Sequence, residues 1–203
     1  MAREGGVGGR GGGGGVRHGP SLRRCSASTD IVDCVSDASG PNTARPRLHL
    51  LCGLVGSGKS TLARRLEAES PAVRLTLDEW MLRLNPELTV EDTAYGERAA
   101  VVRALLGDIA EQVLRTGSDA ILDWNAWSRD RRADGIARAR RAGAEVLLHR
   151  LTTPLEESTR RARARTEAGT AYAHTVDLAG NYHLAGLIEE PSEDEGLRLI
   201  VHP

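Results

Sequence analysis

Residues 48–69 read LHLLCGLVGSGKSTLARRLEAE, and they hold the chain's single lysine, Lys59, among 27 basic side chains. The apolar opening predicts a buried strand, and KSTLARRLEAE predicts a helix with Leu62 and Leu66 on one face and Arg64, Arg65 and Glu69 outside. Between them GLVGSGKS, residues 53–60, fits G-x-x-x-x-G-K-[ST] without a mismatch, in the strand-then-helix setting that the motif requires. Gly53, Gly56 and Gly58 let the backbone curve around a polyphosphate, while the amides through Ser57 and Thr61 open a helix whose N-terminus favours anions. Lys59 would reach the β- and γ-phosphates as a compact point charge; a planar, bulkier guanidinium does not fit so tight a cradle, so lysine survives here alone. Ser60 would offer its hydroxyl to magnesium. A glycine-rich turn that binds nothing is the competing reading, against which the lysine and the context both weigh.

Outward from this loop, short apolar runs alternate with amphipathic ones. AVRLTLD predicts a second strand ending at Asp78. After a polar loop, residues 97–117 place Val101, Val102, Leu105, Leu106, Ile109, Val113 and Leu114 at helical spacing. DAILDW is a third strand ending at Asp123, Ser128 caps a helix over SRDRRADGIARARRAG, and EVLLHRL is a fourth strand. PLEESTRRARART reads as an exposed helical arm, HTVDLAGNYHLAGLIEEP as a further helix, and GLRLIVH as a fifth strand. Five strands with intervening helices predict an α/β fold with a parallel sheet covered on both faces.

The carboxyl ends of such strands line the ligand crevice, which brings Asp78 and Asp123 to the phosphates. Asp123, after an apolar lead-in, is the candidate for magnesium together with Ser60; Asp78 is the candidate base for a second substrate's hydroxyl, with Glu79 as its fallback. A turn or cap role is the alternative for each aspartate. Among the arginines, Arg160, Arg161, Arg163 and Arg165 crowd the arm, where Arg161 or Arg165 could meet the transferring phosphoryl group; Arg129, Arg131 and Arg132 follow Asp123, with Arg132 assigned to the nucleotide.

Composition bounds the rest. Residues 1–46, rich in Gly, Arg and Ser, cannot build a core and read as a disordered extension or a misassigned start, leaving residues 47–203 as one domain. That domain has 21 basic and 24 acidic side chains, so nucleic acid and anionic membranes are not expected partners. Cys25, Cys34 and Cys52 lack metal or disulfide spacing, the six histidines are scattered, and no run approaches the ~18 apolar residues of a membrane span. A cytoplasmic protein is expected.

GLVGSGKST, LTLDEW, ILDWNAWSRDRR and PLEESTRRARAR together resemble the small phosphate-loop (P-loop) kinases of the zeta-toxin, chloramphenicol phosphotransferase and polynucleotide kinase type, often described as AAA-family ATP-binding proteins, over residues 48–202. The resemblance implies a P-loop NTPase, kinase-like three-layer sandwich with a lid segment, ATP and Mg2+ as cofactors, Asp78 as general base, Lys59 and Ser60 at phosphate and magnesium, and a lid arginine from the arm. Where polynucleotide kinases carry an arginine three residues after the base, this chain has Met81, which argues against a nucleic-acid acceptor. Arg83 could serve another anionic acceptor, whereas Trp80 and Met81 could line an apolar pocket. The leading expectation is γ-phosphoryl transfer from ATP to a hydroxyl of a small-molecule acceptor. The alternatives are an ATP-binding regulatory or hydrolytic module, and a nucleic-acid binder that uses the Gly-Arg tail.

Overall fold

The computed structural model describes residues 45–168 and 178–203. Residues 1–44, most of the expected N-terminal extension, lie outside the described residues, as do Cys25, Cys34, His18 and His174. Five strands, β1 (Arg47–Cys52), β2 (Ala72–Thr76), β3 (Asp119–Asn125), β4 (Glu145–Leu151) and β5 (Arg198–His202), form a sheet of order β2-β3-β1-β4-β5 in which every pair is parallel. The helices are α1 (Lys59–Glu69), α2 (Leu77–Leu84), α3 (Tyr95–Arg115), α4 (Arg129–Arg141), α5 (Leu155–Glu167) and α6 (Leu178–Gly186). With α1 on one face of the sheet and α3 and α4 on the other, the described residues form a three-layer α/β sandwich.

Alternation along β1 sorts the two cores. Leu48, Leu50 and Cys52 face the larger one, with Val102, Leu106 and Leu114 of α3 and Ile136 of α4, while Leu51 meets Leu62 and Ala63 of α1. On α3 the buried stripe is Ala99, Val102, Leu106, Ala110 and Leu114; Val101 and Leu105, expected to share the apolar face, are 58% and 51% exposed. Strand β2 stops at Thr76, and LDEWMLRL turns directly into α2, whose acidic first turn suits the helix dipole, so Asp78 belongs to a helix start rather than to a strand end.

The smaller core shares its face of the sheet with a polar row that the sequence does not announce. His49 on β1, His149 on β4 and His202 on β5 stack across three strands, with Nδ1 of His49 2.9 Å from Nε2 of His149, and Nδ1 of His149 2.9 Å from Nε2 of His202. Burial pushes His149 down to about 4, aided by the neighbouring imidazoles and Arg65, so the row is neutral at pH 7. At its far end Nε2 of His49 stands 3.6 Å from the Asp119 carboxylate, which also accepts from the Arg47 amide at 2.7 Å.

Candidate active site

The chain reverses strand order at β1, between β3 and β4, and there the loop of residues 53–58 leads into α1. Gly56 and Gly58 adopt φ of +84° and +99°, a left-handed conformation that side-chain-bearing residues avoid. Two asparagines clamp the loop by its backbone. Asn125 donates to the Gly53 carbonyl at 2.8 Å and accepts from the Gly53 amide at 3.3 Å. Asn181 of α6, fully buried, does the same to Val55 at 3.2 Å in each direction. A register shift between Leu50 and Leu51, where β3 advances from Leu122 to Asn125, brings Asn125 into place. Neither asparagine carries a sequence signal, because each partner is far away along the chain.

The loop opens on a cleft of about 800 Å³ lined by Gly56, Gly58, Lys59, Ser60 and Thr61, by Asp78 and Asp123, and by Arg161 and Arg165. Most sequence-assigned residues therefore converge. Ser60 Oγ donates to Asp123 Oδ1 at 3.0 Å, and Arg74 holds the other carboxylate oxygen at 2.9 Å. This pair of hard oxygen donors beside the phosphate loop fits magnesium. Gly53 and Ser57 shape the loop from beneath instead of lining the cleft: a Cβ on Gly53 would fall 2.7 Å from Ser57 Oγ, which is buried and has no hydrogen-bond partner among the described residues.

Other expectations need correction. Arg132, assigned to the nucleotide, points into the core, fully buried, with Nε and Nη2 on Glu195 at 2.6 and 2.9 Å and Nη1 on the carbonyls of Trp127 and Glu189. Its neighbour Arg131 faces the cleft. Glu79, the fallback base, is taken by Arg74 at 3.2 Å. Met81 is buried in the main core, and neither Trp80 nor Arg83 lines the cleft. The arm is not free: α5 seats Ser158, Thr159 and Ala162 against the body, and Arg160 and Arg161 both bind Glu157.

Lys59 Nζ donates to the carbonyls of Gly53 and Leu54 at 3.0 and 2.7 Å. Burial of this ammonium lowers its pKa to about 8, against the opposing pull of Asp123, Cys52 and Asp78. Polyphosphate beside it would restore the usual value. Between pH 8 and 10 the complex then holds one proton more than the free protein, so nucleotide affinity should fall about tenfold per pH unit. Calorimetry at pH 9 in two buffers of different ionisation heat should show net proton uptake, absent in Lys59→Met; no uptake in either protein would remove Lys59 from the phosphate. Tyr95, at the start of α3, also lines the cleft, and burial plus the Asp78 charge push its phenol up to about 12, keeping it a neutral donor.

No curated protein matches the chain significantly. Among solved structures it resembles a candidate kinase from Chloroflexus aurantiacus, at 18% identity over 78% of this chain and 88% of that one, TM-score 0.60. It also resembles Kti12 of Chaetomium thermophilum, solved with ADP-AlF3, at 20% identity over 76% and 88%, TM-score 0.54. Mycobacterium tuberculosis APS kinase, solved with AMPPNP and APS, aligns at 22% identity over 77% and 88%, TM-score 0.51. At such identities these likenesses carry the fold alone. A family model described as an AAA domain matches residues 48–182, 135 of the 203 residues. The loop geometry and that match together make the chain a member of the AAA domain family, with the nucleotide-binding fold of the small P-loop kinases.

Proposed function

We propose that the protein is an ATP-dependent kinase that transfers the γ-phosphoryl group to a hydroxyl of a small-molecule acceptor. One observation carries this reading: Asp78 lines the same cleft as Lys59, Ser60 and the glycines of the phosphate loop, which makes its carboxylate the candidate to meet an acceptor hydroxyl. Asp78 orients the acceptor hydroxyl and takes its proton as the oxygen attacks phosphorus and the bond to ADP breaks. Lys59 and the amides of the loop hold the phosphates, and Arg161 and Arg165 on the cleft wall offset charge on the moving group. Ser60 and Asp123 would hold Mg2+, which when bound neutralises phosphate charge. Among the described residues no group of three or more metal-binding side chains exists, so nucleotide oxygens and water would complete its shell. Among the described residues, too, no helix is long and apolar enough to cross a membrane, and a cytoplasmic location belongs to this reading. The size of the cleft, about 800 Å³, and the acidic balance of the domain support a small acceptor over nucleic acid.

One feature favours the second reading, a regulatory nucleotide-binding module: Leu84 on α2 and Val101 and Leu105 on α3 leave an exposed apolar surface that a partner could read. Following γ-phosphate from labelled ATP into a metabolite mixture separates the two. Asp78→Asn is expected to keep affinity for a nonhydrolysable ATP analogue and to lose roughly 10²–10⁴ in transfer rate. Unchanged chemistry in Asp78→Asn would hand the lead to the regulatory reading.

A further inference from the structure

Arginine is the chain's default cation, and among the described residues many arginines meet carboxylates: Arg132 with Glu195, Arg138 with Asp108, Arg141 with Glu111, Arg74 with Asp123. Two half-buried arginines on the cleft wall differ. Arg103, from α3, has neither hydrogen bond nor ion pair among the described residues. Arg131, from the first turn of α4, lies over the Trp127 ring at 3.9 Å and donates to the Asn125 carbonyl at 3.2 Å, but it too meets no carboxylate there. Burying a cation is costly, and burying two within reach of each other's charge is more so; the charge of Asp134, itself hydrogen-bonded to Arg138, opposes this at Arg103 without contacting it. Both guanidinium pKa values are driven down: burial acts on each, and the charge of Arg103 helps bring Arg131 to about 10.

Their position along the cleft says what would relieve this. Arg103 and Arg131 line the same cleft as the phosphate loop, Asp78 and Tyr95, so an acceptor lying in it can reach both the arginine pair and the Asp78 carboxylate. The other cleft carboxylate, Asp123, is already held by Ser60 and Arg74. Stacking on Trp127 fixes the plane of the Arg131 fork, a presentation suited to an oxyanion accepting several charge-assisted hydrogen bonds.

We infer that the phosphoryl acceptor is itself a small anion, a hydroxylated molecule whose carboxylate, phosphate or sulfate group is gripped by Arg103 and Arg131 while its hydroxyl lies at Asp78. This rests on the kinase reading for the word acceptor; the oxyanion site stands on the arginine pair alone. Arg103→Gln and Arg131→Gln, compared with wild type, test it. Sulfate, inorganic phosphate and acetate are titrated at constant ionic strength, followed by tryptophan fluorescence, into protein saturated with a nonhydrolysable ATP analogue and into Lys59→Ala protein, whose phosphate loop no longer competes. Wild-type binding is expected for at least one probe, and the preferred probe tells a tetrahedral group from a carboxylate. Each glutamine variant should weaken that binding about tenfold while holding analogue affinity within about twofold. Equal probe binding in the variants, no probe binding in wild type, or a loss that falls on the ATP analogue instead would overturn the site. Transfer assays on anionic and neutral metabolite fractions then separate the two readings. Transfer into the anionic fraction, with KM raised about tenfold in Arg103→Gln and kcat altered less, supports both. Transfer to neutral molecules that ignores Arg103→Gln sinks the inference and keeps the kinase. No transfer alongside intact oxyanion binding sinks the kinase reading and keeps the anion site.

Discussion

Gly56→Ala is expected to cost about 3–5 kcal/mol of folding stability and to abolish nucleotide binding in the fraction that still folds. Two effects combine. At φ +84° a Cβ costs about 1–2 kcal/mol by itself. The added atom would also stand 2.0 Å from the Ser158 carbonyl oxygen and 3.1 Å from the Ala162 amide nitrogen, both backbone atoms of α5 that cannot rotate away. Relief requires moving the phosphate loop or α5, and Arg161 and Arg165 ride on α5. Gly143→Ala is the matched control. Its φ is +69° but nothing lies within 4 Å, so only the conformational cost applies. Urea unfolding should therefore show a penalty for Gly56→Ala at least twice that for Gly143→Ala. Equal penalties would mean that α5 does not press on the loop.

Arg132→Met is expected to lose about 3–5 kcal/mol, because it strands the 7%-exposed Glu195 without its counter-ion and removes the arginine donor to the Glu189 carbonyl. Arg132→Met combined with Glu195→Leu should recover most of that loss, since an apolar pair of similar volume avoids the desolvation of both charges. The sequence-based assignment of Arg132 to the nucleotide makes the opposite forecast: weakened ATP binding with little change in stability. Unfolding curves and nucleotide titrations on the same two variants decide between them.

The contrast between Arg131 and Arg132 shows where a linear reading runs out. The run SRDRR places both just after Asp123, and one residue is 100° of helix, the difference between cleft and core. Which one turns inward depends on Glu195, 63 positions away. Local signals fared better. The alternation of apolar and amphipathic runs yields all five strands, and the Ser128 cap is confirmed by its bond from the Arg131 amide at 3.3 Å. The loop motif carries its own geometry through Gly56 and Gly58. Leu77 continues the alternation of Val73 and Leu75, which draws the predicted strand on to Asp78 and hides the start of α2, whose later apolar residues Trp80, Met81 and Leu84 follow helical spacing instead. Asn125, Asn181, Tyr95 and Arg103 were missed for a shared reason: each owes its role to contacts made by the fold, not to neighbours in sequence.

The histidine row has a directional consequence. A neutral imidazole has one N–H, so each ring can give only once along the row. The Asp119 carboxylate facing Nε2 of His49 favours a proton on that nitrogen, leaving Nδ1 to accept from Nε2 of His149, whose own Nδ1 then accepts from His202. All three rings are thereby set to the same tautomer, and their dipoles align head to tail toward one buried carboxylate. The row works as a polarised wire across three strands, so the edge strand β5 and the central strand β1 share a single hydrogen-bond polarity that no ring can reverse alone.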